Sequence, residues 1–454
     1  MSGSWGDGDR VPANAPSGQR RLPAGVTITC RAILPLQGPP LERGWLRIGR
    51  GRIEGIGRRG PAGPVIDLGD AIILPGLVNA HTHLEFSDLA APLPAGTNLT
   101  DWIAEVVRLR RARVPGAAEE TRLATALSAG LQESAAAGVT ALGEIATAIP
   151  AQGYPPHGPR VRLYREGLGW SPTTSFRGVV ARDLNHLRHA LGGLSPHAPY
   201  SVSAGLGRWL VRTAVAGHLP VAMHLAESLA EAEFIATGGG PFEDLLAGLG
   251  VWPVSPAPLL HSAADWISQL ARAPRGSVVH GTFLDETALN RLIRHRDRLC
   301  LVVCPRTTLR LAGSLPPLAQ WRQAGIRLAV GTDSRASNPD LSILAECRTL
   351  VETGMMTPAE ALQTATSGGA WSLMLEHRCG RLAVGRPADF IVLQAPPGHA
   401  DPHVAALDPA TRVVATVRGG RILHGALPGL GSTAGSWRSA SRSLPRHPTL
   451  PAAP

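Results

Sequence analysis

The sequence predicts an α/β fold: a (β/α)8 TIM barrel with a small β-sandwich formed by the N- and C-terminal segments. Three observations indicate it. Eight short apolar runs alternate with longer helical patterns, each apolar run ends at a polar residue, and segments typical of small antiparallel strands flank this region on both sides. A chain of 454 residues, 44% of them hydrophobic, is long enough for one large domain with an accessory one.

The two flanking regions are predicted to form one composite β-sandwich. Residues 21–74 contain short alternating segments split by glycines, such as residues 45–48. The same pattern returns within residues 376–426, at residues 388–393 and 413–423. Strands of this kind from the two ends of the chain can pair with each other.

Residues 75–375 are predicted to form the barrel. A helical pattern such as residues 99–109, which Thr100 or Asp101 could cap, lies between successive strand-like runs. In a TIM barrel the catalytic residues sit at the carboxyl ends of the strands, so the residues that end the runs are candidates for function. The eight runs end near His83, Glu144, Glu166, His197, His224, His280, Cys304 and Asp333.

Composition and local sequence features indicate the cellular compartment of the protein. Residues 1–20 and 427–454 are rich in Gly, Ser, Pro and Arg and are predicted to be disordered. The sequence has no signal peptide, and no apolar run approaches the roughly 18 residues that a bilayer requires. Five cysteines without a CxxC pair indicate neither a disulfide framework nor a cysteine zinc site. These features predict a cytoplasmic protein that does not bind a membrane.

The net charge of +10 does not by itself indicate a nucleic-acid partner. The sequence contains no lysine, and its arginines are scattered and do not form one basic arm, which is typical of a bias of the encoding genome. We therefore predict no nucleic-acid binding. The absence of lysine also excludes a Schiff base and a carbamylated lysine ligand.

The strongest local signal is Pro75-Gly-Leu-Val-Asn-Ala-His-Thr-His, a strand ending in His81 and His83. Residues at positions i and i+2 of a strand project to the same face, so both imidazoles can reach one cation. Zinc binds imidazole nitrogens, and a catalytic zinc site keeps one position open for water. An isolated pair of this kind is more often two surface histidines at a turn, so the interpretation depends on the rest of the chain.

Three further strand ends carry residues able to bind a metal. One has His224 followed by Glu227, a pattern that an acidic first turn of a helix would explain equally well. The others end at His280 and at Asp333, and a lone aspartate after Gly-Thr is usually a capping or turn residue. Four such strand ends in one barrel make coincidence a poor explanation and predict a metal site.

These motifs, taken in order, resemble the deaminase and chlorohydrolase branch of the amidohydrolase superfamily. The resemblance includes cytosine deaminase-like, S-adenosylhomocysteine deaminase-like and aminodeoxyfutalosine deaminase-like members, and it spans most of the chain. It is carried by Pro75-Gly-Leu-Val-Asn-Ala-His-Thr-His, Ser195-Pro-His-Ala-Pro-Tyr, His224-Leu-Ala-Glu, Val279-His-Gly, Cys304-Pro-Arg and Gly331-Thr-Asp-Ser.

The resemblance implies one divalent metal ion, zinc or alternatively iron, held by His81, His83, His224 and Asp333. Asp333 would take the proton of the attacking water and His280 would orient that water. Glu227 would protonate a ring nitrogen of the substrate. The missing lysine agrees with a single ion, because binuclear relatives commonly bridge their ions with a carboxylated lysine.

Two residues are candidates for substrate binding. His197 matches a substrate-contacting position of the family, although a histidine that orders the loop fits the pattern nearly as well. Glu85 lies two residues past the second histidine, and on a continuing extended backbone it would point toward the site. A solvated loop acid is the alternative for Glu85.

The implied activity is hydrolytic release of ammonia from an aminated purine-type ring or nucleoside, with a small molecule as the partner. Two alternatives stay open: displacement of chloride or an amide nitrogen, and a non-catalytic metal-binding barrel. The run that starts at His81 most resembles aminodeoxyfutalosine deaminases, so aminodeoxyfutalosine is a candidate substrate. Similar families often form homodimers. The sequence departs from the family pattern at Cys304-Pro-Arg-Thr-Thr and Ser367-Gly-Gly-Ala-Trp, which puts the substrate pocket in question.

Overall fold

The computed structural model describes residues 21–58, 60, 65–96, 98–149, 153–169, 177–178, 180–183, 187, 191–251 and 262–427. The predictions of disorder for residues 1–20 and, beyond its first residue, for the tail at 427–454 lie outside these ranges. Within them, no helix combines the length and the apolar character needed to cross a bilayer.

The N-terminal segment forms seven strands that contribute to two sheets. Four of them make a sheet of order β5-β4-β1-β6. The seventh strand leads through Gly76 into the barrel. The strands are β1 (Val26–Thr29), β2 (Ala32–Ile33), β3 (Leu41–Glu42), β4 (Trp45–Gly49), β5 (Arg52–Gly57), β6 (Val65–Asp67) and β7 (Ala71–Pro75).

Eight parallel strands follow and form the predicted barrel, in sheet order from β8 to β15. A parallel bridge between Thr82 and Asp333 joins the last strand to the first. The predicted fold class is confirmed, and the eight predicted end residues lie within three positions of the observed strand ends. The strands are β8 (Leu77–Thr82), β9 (Val139–Ala146), β10 (Arg160–Gly167), β11 (Gly192–Pro196), β12 (Val221–Leu225), β13 (Gly276–His280), β14 (Leu299–Val303) and β15 (Leu328–Val330).

Helices follow most of the barrel strands. A 3-10 turn (Leu84–Phe86) follows β8, and a π-helix (Thr364–Gly368) precedes α12. The described helices are α1 (Leu99–Ala112), α2 (Ala117–Ala136), α3 (Ala204–Gly217), α4 (Leu229–Thr237), α5 (Pro241–Gly248), α6 (Ala263–Leu270), α7 (Glu286–Arg294), α8 (Pro305–Ala312), α9 (Leu318–Gln323), α10 (Ile343–Glu352), α11 (Pro358–Gln363), α12 (Gly369–Ser372) and α13 (Pro402–Leu407).

The predicted helix at residues 99–109 is present as α1, but its cap is different. Asn98 precedes the helix, and its side-chain oxygen accepts a hydrogen bond from the backbone amide of Asp101 at 2.9 Å. Thr100 and Asp101 therefore lie inside the first turn, and the prediction that either would cap the helix was wrong. An asparagine at the capping position satisfies an amide that the helix itself leaves free.

The C-terminal segment completes the second sheet with β16 (Phe390–Gln394), β17 (Arg412–Arg418) and β18 (Arg421–Gly425). This sheet has the order β18-β17-β16-β7-β2-β3, and β16 pairs antiparallel with β7. Buried residues from both ends of the chain, among them Ile28, Leu46, Ile73, Phe390 and Val417, form one apolar cluster. The pairing of β16 with β7 anchors the start of the barrel, because β8 follows β7 after one residue.

Candidate active site

Three histidines meet at the carboxyl ends of the barrel strands. His81 and His83 come from the end of β8 and His224 from β12. The Nε2 atom of His224 lies 3.2 Å from that of His81 and 3.3 Å from that of His83. Burial lowers the pKa of His81 to about 3 and of His224 to about 4. These imidazoles are therefore neutral, and their convergence is the arrangement that one cation requires.

Asp333 stands beside this cluster. Its Oδ1 atom lies 3.6 Å from the Nε2 atoms of both His81 and His83. Its Oδ2 atom accepts a hydrogen bond of 2.7 Å from the hydroxyl of Ser337. The backbone of Asp333 has a φ of +57°, in the left-handed region that aspartate tolerates better than most residues. The structure thus brings together all four residues that were predicted from the sequence as metal ligands.

The ends of β8 and β15 are tied together by Asn79, which sequence reasoning missed. Its Oδ1 atom accepts hydrogen bonds from the backbone amides of His81, at 3.3 Å, and Thr332, at 3.1 Å. Its Nδ2 atom donates to the Thr332 hydroxyl at 2.8 Å. The sequence feature that could have indicated Asn79 is a polar residue inside an otherwise apolar strand, two positions before the first histidine.

Close packing between these strands requires Gly331. A Cβ atom at that position would lie 2.8 Å from the Cβ of His81, closer than real side chains approach. The glycine allows the backbone amide of Asp333 to donate to the His81 carbonyl at 3.1 Å. This contact sets the distance between His81 and the Asp333 carboxylate.

His224 is oriented by His197. Its Nδ1 atom lies 3.0 Å from the backbone carbonyl oxygen of His197, to which it donates. A proton on Nδ1 leaves the lone pair on Nε2, which faces His81 and His83. The Nδ1 atoms of His81 and His280 have no hydrogen-bond partner among the described residues.

Glu227 and His280 form a second pair next to the histidines. The Oε1 atom of Glu227 lies 3.4 Å from the Nε2 atom of His280. Burial raises the pKa of Glu227 well above its usual range, and the negative charges of Asp333 and Glu231 add to this effect. Burial also lowers the pKa of His280 to about 3. Burial therefore favours the protonated carboxyl of Glu227 and the neutral imidazole of His280.

Glu231, which sequence reasoning also missed, holds the turn that carries Glu227. Its carboxylate accepts hydrogen bonds from the backbone amides of Ala226, at 2.8 Å, and Glu227, at 2.9 Å. Ser228 caps α4 by accepting from the amide of Glu231 at 3.1 Å. The sequence feature that could have indicated Glu231 is the Ser228-x-x-Glu231 spacing, which is typical of the start of a helix.

The prediction that the backbone stays extended as far as Glu85 was wrong. The chain turns at Leu84–Phe86 because the carboxylate of Glu144 accepts the amide hydrogen of Leu84 at 3.0 and 3.1 Å. The Glu85 carboxylate instead forms an ion pair of 2.5 Å with Arg110 and lies 3.9 Å from Arg113. Arg110, and not Glu85, is among the residues that line the pocket.

A cavity of about 250 Å³ opens above the histidines. His197 lies at its wall, with its Nδ1 atom 2.5 Å from the Ser201 hydroxyl oxygen. The outer walls are apolar and come mainly from α1, α5 and the residues that follow α5. The inner end is polar and is lined by His83, His197, His224, Glu227, His280, Asp333 and Ser334.

The two departures from the family pattern lie in different places. Thr307 follows Cys304-Pro-Arg, and its hydroxyl lies 3.0 Å from that of Ser337, which in turn donates to Asp333. Ser367 and Trp371 instead line a separate cavity beside Arg327 and Leu328, where β15 begins. The departure at Ser367 therefore lies at the opposite end of the barrel, away from the cavity above the histidines.

Comparisons with known proteins agree with this geometry. A family model described as "Amidohydrolase family" matches residues 72–423. A 5-methylthioadenosine/S-adenosylhomocysteine deaminase of Moorella thermoacetica is 29% identical over 403 residues, which cover 82% of this chain and 86% of the relative.

Two solved structures are similar in fold. An aminofutalosine deaminase of Helicobacter pylori, in complex with methylthio-coformycin, matches with a TM-score of 0.77 and 23% identity over 87% of this chain and 99% of that one. An adenosine deaminase of Xanthomonas campestris with bound zinc matches with a TM-score of 0.69 and 23% identity, over 89% and 93% respectively.

Proposed function

This chain belongs to the amidohydrolase family, and we propose that it is a metal-dependent hydrolytic deaminase that releases ammonia from an aminated purine-type ring or nucleoside. The observation that carries the proposal is the convergence of the Nε2 atoms of His81, His83 and His224 next to Asp333, with Glu227 at the edge of the same cluster. Relatives that carry out deamination support it.

The donor set fits one divalent ion. Three neutral imidazoles supply lone pairs and the Asp333 carboxylate supplies one negative charge, which suits zinc first and iron second. His81, His83, His224 and Asp333 would hold the ion. When bound there, it would supply water activated at neutral pH, because a divalent ion lowers the pKa of the water that it binds. The sequence contains no lysine that could bridge a second ion.

Asp333 would act as the base. Its Oδ1 atom faces the histidines, and its Oδ2 atom accepts one hydrogen bond from Ser337 and keeps a second lone pair, so the carboxylate can both hold the ion and accept a proton from the attacking water. His280, on the next strand after His224, has its neutral Nε2 atom at the same edge and can orient that water.

Glu227 would act as the acid. Burial raises the pKa of its carboxyl and so favours the protonated form, and the group lies at the inner end of the pocket, where it can protonate a ring nitrogen as the tetrahedral centre forms. Protonation of the ring removes the negative charge that attack on the ring would otherwise create. The amino group then leaves as ammonia with the proton that Asp333 took from water, and the hydroxyl proton of the tetrahedral centre returns to Glu227 as the carbonyl forms.

The pocket favours a nucleoside over a free base. Its apolar outer walls would contact a substituent beyond the ring, and His197 would contact the substrate at the inner end. Among nucleosides, aminodeoxyfutalosine is our candidate substrate, together with the methylthioadenosine and S-adenosylhomocysteine named for the relatives.

Turnover by zinc-loaded protein tests the function. Adenine, adenosine, 5-methylthioadenosine, S-adenosylhomocysteine and aminodeoxyfutalosine are each incubated with the enzyme, and deamination is read from the ultraviolet shift and the ammonia yield. We expect ammonia from at least one nucleoside, and no activity in Asp333→Ala. Chloride released from a chlorinated triazine, without ammonia from any nucleoside, would support the alternative displacement activity. Metal-loaded protein without turnover would support a binding protein.

The cysteines support a reducing cellular compartment. Cys30, Cys300, Cys304, Cys347 and Cys379 are all buried and unpaired, which fits a reducing compartment. We place the protein in the cytoplasm, with a small molecule as its partner. A homodimer is the assembly to test by analytical ultracentrifugation.

A further inference from the structure

A second cavity, of about 330 Å³, lies at the end of the barrel opposite the three histidines, where β15 begins. Its volume is in the range of small-molecule sites. It shares no residue with the pocket above the histidines. Three arginines, Arg322, Arg327 and Arg381, line it together with Trp371 and Glu376. The proposed deamination gives this cavity no role.

The carboxylates beside this cavity are already paired. Glu376 forms an ion pair of 2.9 Å with Arg275 through its Oε1 atom, and its Oε2 atom is buried from solvent. Glu360, which lies next to the cavity, pairs with Arg322 at 2.6 Å. These carboxylates therefore do not neutralise the other arginines of the cavity, and Glu376 offers no free acceptor to a ligand.

Two positive charges at the cavity have no counterion. The guanidinium groups of Arg327 and Arg381 form no ion pair with any residue that the structure describes. Burial lowers the pKa of Arg275, and the positive charge of Arg327 adds to this effect. Arg327 is thus close enough to a second cation to repel it. A concave site with an excess of one charge attracts ligands of the opposite charge, because its low-dielectric walls focus the field.

Arg327 is held in an orientation that leaves its terminal nitrogens available. Its guanidinium carbon lies 4.6 Å from the centre of the Trp371 ring, and its Nε atom donates to the backbone carbonyl of Arg296 at 3.2 Å. Within the described part of the chain, its two Nη atoms make no hydrogen bond. A guanidinium that is already oriented loses little entropy on binding, and its N–H groups match the oxygens of a phosphate.

Arg381 brings a second guanidinium to the cavity from the segment between α12 and β16. It is half-buried and makes no hydrogen bond with the described residues. Two unpaired guanidinium groups match the two negative charges that a phosphate monoester carries at neutral pH. A carboxylate would neutralise only one of them.

We propose that this cavity binds the phosphate group of a small molecule, and that Arg327 and Arg381 donate hydrogen bonds to its oxygens. The shared chemistry is a phosphate dianion, which is either free phosphate or a phosphate monoester. The cavity is separate from the proposed active site, so the inference does not rest on the proposed function.

Isothermal titration calorimetry of the full chain at neutral pH tests the site, with inorganic phosphate and ribose 5-phosphate as ligands. We expect binding to the wild type and a Kd that rises roughly 10- to 100-fold in Arg327→Gln and in Arg381→Gln, the loss expected for hydrogen bonds between charged groups. Arg212→Gln, exposed on α3, removes the same charge elsewhere and should bind as the wild type does.

Thermal unfolding separates binding from a structural role. Phosphate should raise the melting temperature of the wild type, because it binds the folded state, but should raise that of Arg381→Gln much less. Arg381 has no hydrogen bond or ion pair with the described residues, so its loss should leave the fold intact. Tighter binding of ribose 5-phosphate than of phosphate would identify a phosphorylated small molecule, and equal affinities would identify free phosphate.

Three outcomes would overturn the inference. One is the absence of binding heat with both ligands. Another is the same Kd in the wild type, Arg327→Gln and Arg381→Gln, which would place the phosphate elsewhere, for example at the three histidines. The third is acetate binding as tightly as phosphate at equal ionic strength, since the site would then not distinguish a dianion from a carboxylate.

Discussion

The carboxylate of Glu231 accepts a hydrogen bond of 2.9 Å from the backbone amide of Glu227, the residue proposed to protonate the substrate. Its other oxygen accepts from the amide of Ala226, whose φ of +54° is strained for a residue with a Cβ. Glu231 thus keeps the turn in the conformation that places the Glu227 carboxyl 3.4 Å from His280. It acts on the chemistry through position and does not contact the reacting atoms.

Replacement of Glu231 by glutamine should lower activity without removing the metal. The amide NH2 cannot accept, so one of the two backbone amides loses its partner, at a cost of about 1–3 kcal/mol. We expect kcat to fall about 10-fold or more while KM and zinc content change little, as measured by steady-state kinetics and elemental analysis. Glu233→Gln, exposed on the same helix, is the control. Equal kinetics in the two variants would contradict the role of Glu231.

The predicted site residues that the structure brings together share one physical origin. Each of His81, His83, His224 and His280 lies at the end of an apolar run, and the geometry of a parallel barrel brings such ends together whatever their separation in sequence. Asn79 and Glu231 act through hydrogen bonds to the backbone, whose partners depend on the folded turn and not on a sequence pattern.

Glu85 shows a second limit of the sequence pattern. Periodicity cannot show whether an extended backbone continues past the end of a strand. The turn at Glu85 depends on the hydrogen bonds from the amide of Leu84 to Glu144, a residue on the neighbouring strand. The sequence indicates Glu144 only as the residue that ends an apolar run. Its hydrogen bonds with the amide of Leu84 could therefore not be predicted.

Glu227→Gln should remove the proton donor while leaving the fold intact. Glutamine has nearly the same shape, but it cannot transfer a proton to the ring nitrogen. General acid catalysis contributes roughly 10²- to 10⁴-fold, so we expect a loss of kcat in that range with an unchanged melting temperature and zinc content. A variant that retains wild-type kcat on every deaminated nucleoside would show that another group supplies the proton.

Removal of one histidine should abolish metal binding. In His83→Ala the cluster keeps only two imidazoles and a carboxylate, so we expect zinc content to fall below stoichiometric levels and deaminase activity to be lost. Zinc should raise the melting temperature of the chelator-treated wild type, because it binds the folded state, but not that of the variant. His424→Ala, exposed on β18, is the control. Stoichiometric zinc in His83→Ala would reject the assigned site.

Asn79→Ala should destabilise the protein and weaken metal binding together. The substitution leaves the backbone amide of Thr332 without its side-chain acceptor and removes the donor to the Thr332 hydroxyl, inside a fully buried region. We expect a loss of about 2–4 kcal/mol in the free energy of unfolding. Urea denaturation and zinc titration measure the two effects. Asn290→Ala, exposed on α7, should change neither, and similar behaviour of both variants would contradict the role of Asn79.

The final prediction concerns stability and pH, through Glu346 on α10. Its carboxyl is fully buried, accepts from the amide of Arg306 at 2.9 Å and from the side chain of Asn338 at 2.6 Å, and burial raises its pKa to about 8. Below the ordinary value of 4.5 both the folded and the unfolded chain hold the proton. Between 4.5 and 8 only the folded chain holds it, so unfolding releases a proton and the free energy of unfolding falls as pH rises.

Glu346→Gln stays neutral at every pH and lacks this contribution. The melting temperature of the variant relative to the wild type should therefore rise between pH 5 and pH 8.5, as measured by scanning calorimetry. The other buried carboxyl groups titrate in both proteins, so their effect cancels in the difference. Glu352→Gln, exposed on the same helix, should show no such trend. Parallel melting curves for Glu346→Gln and the wild type across this range would mean that Glu346 ionises in the folded protein as readily as in the unfolded chain.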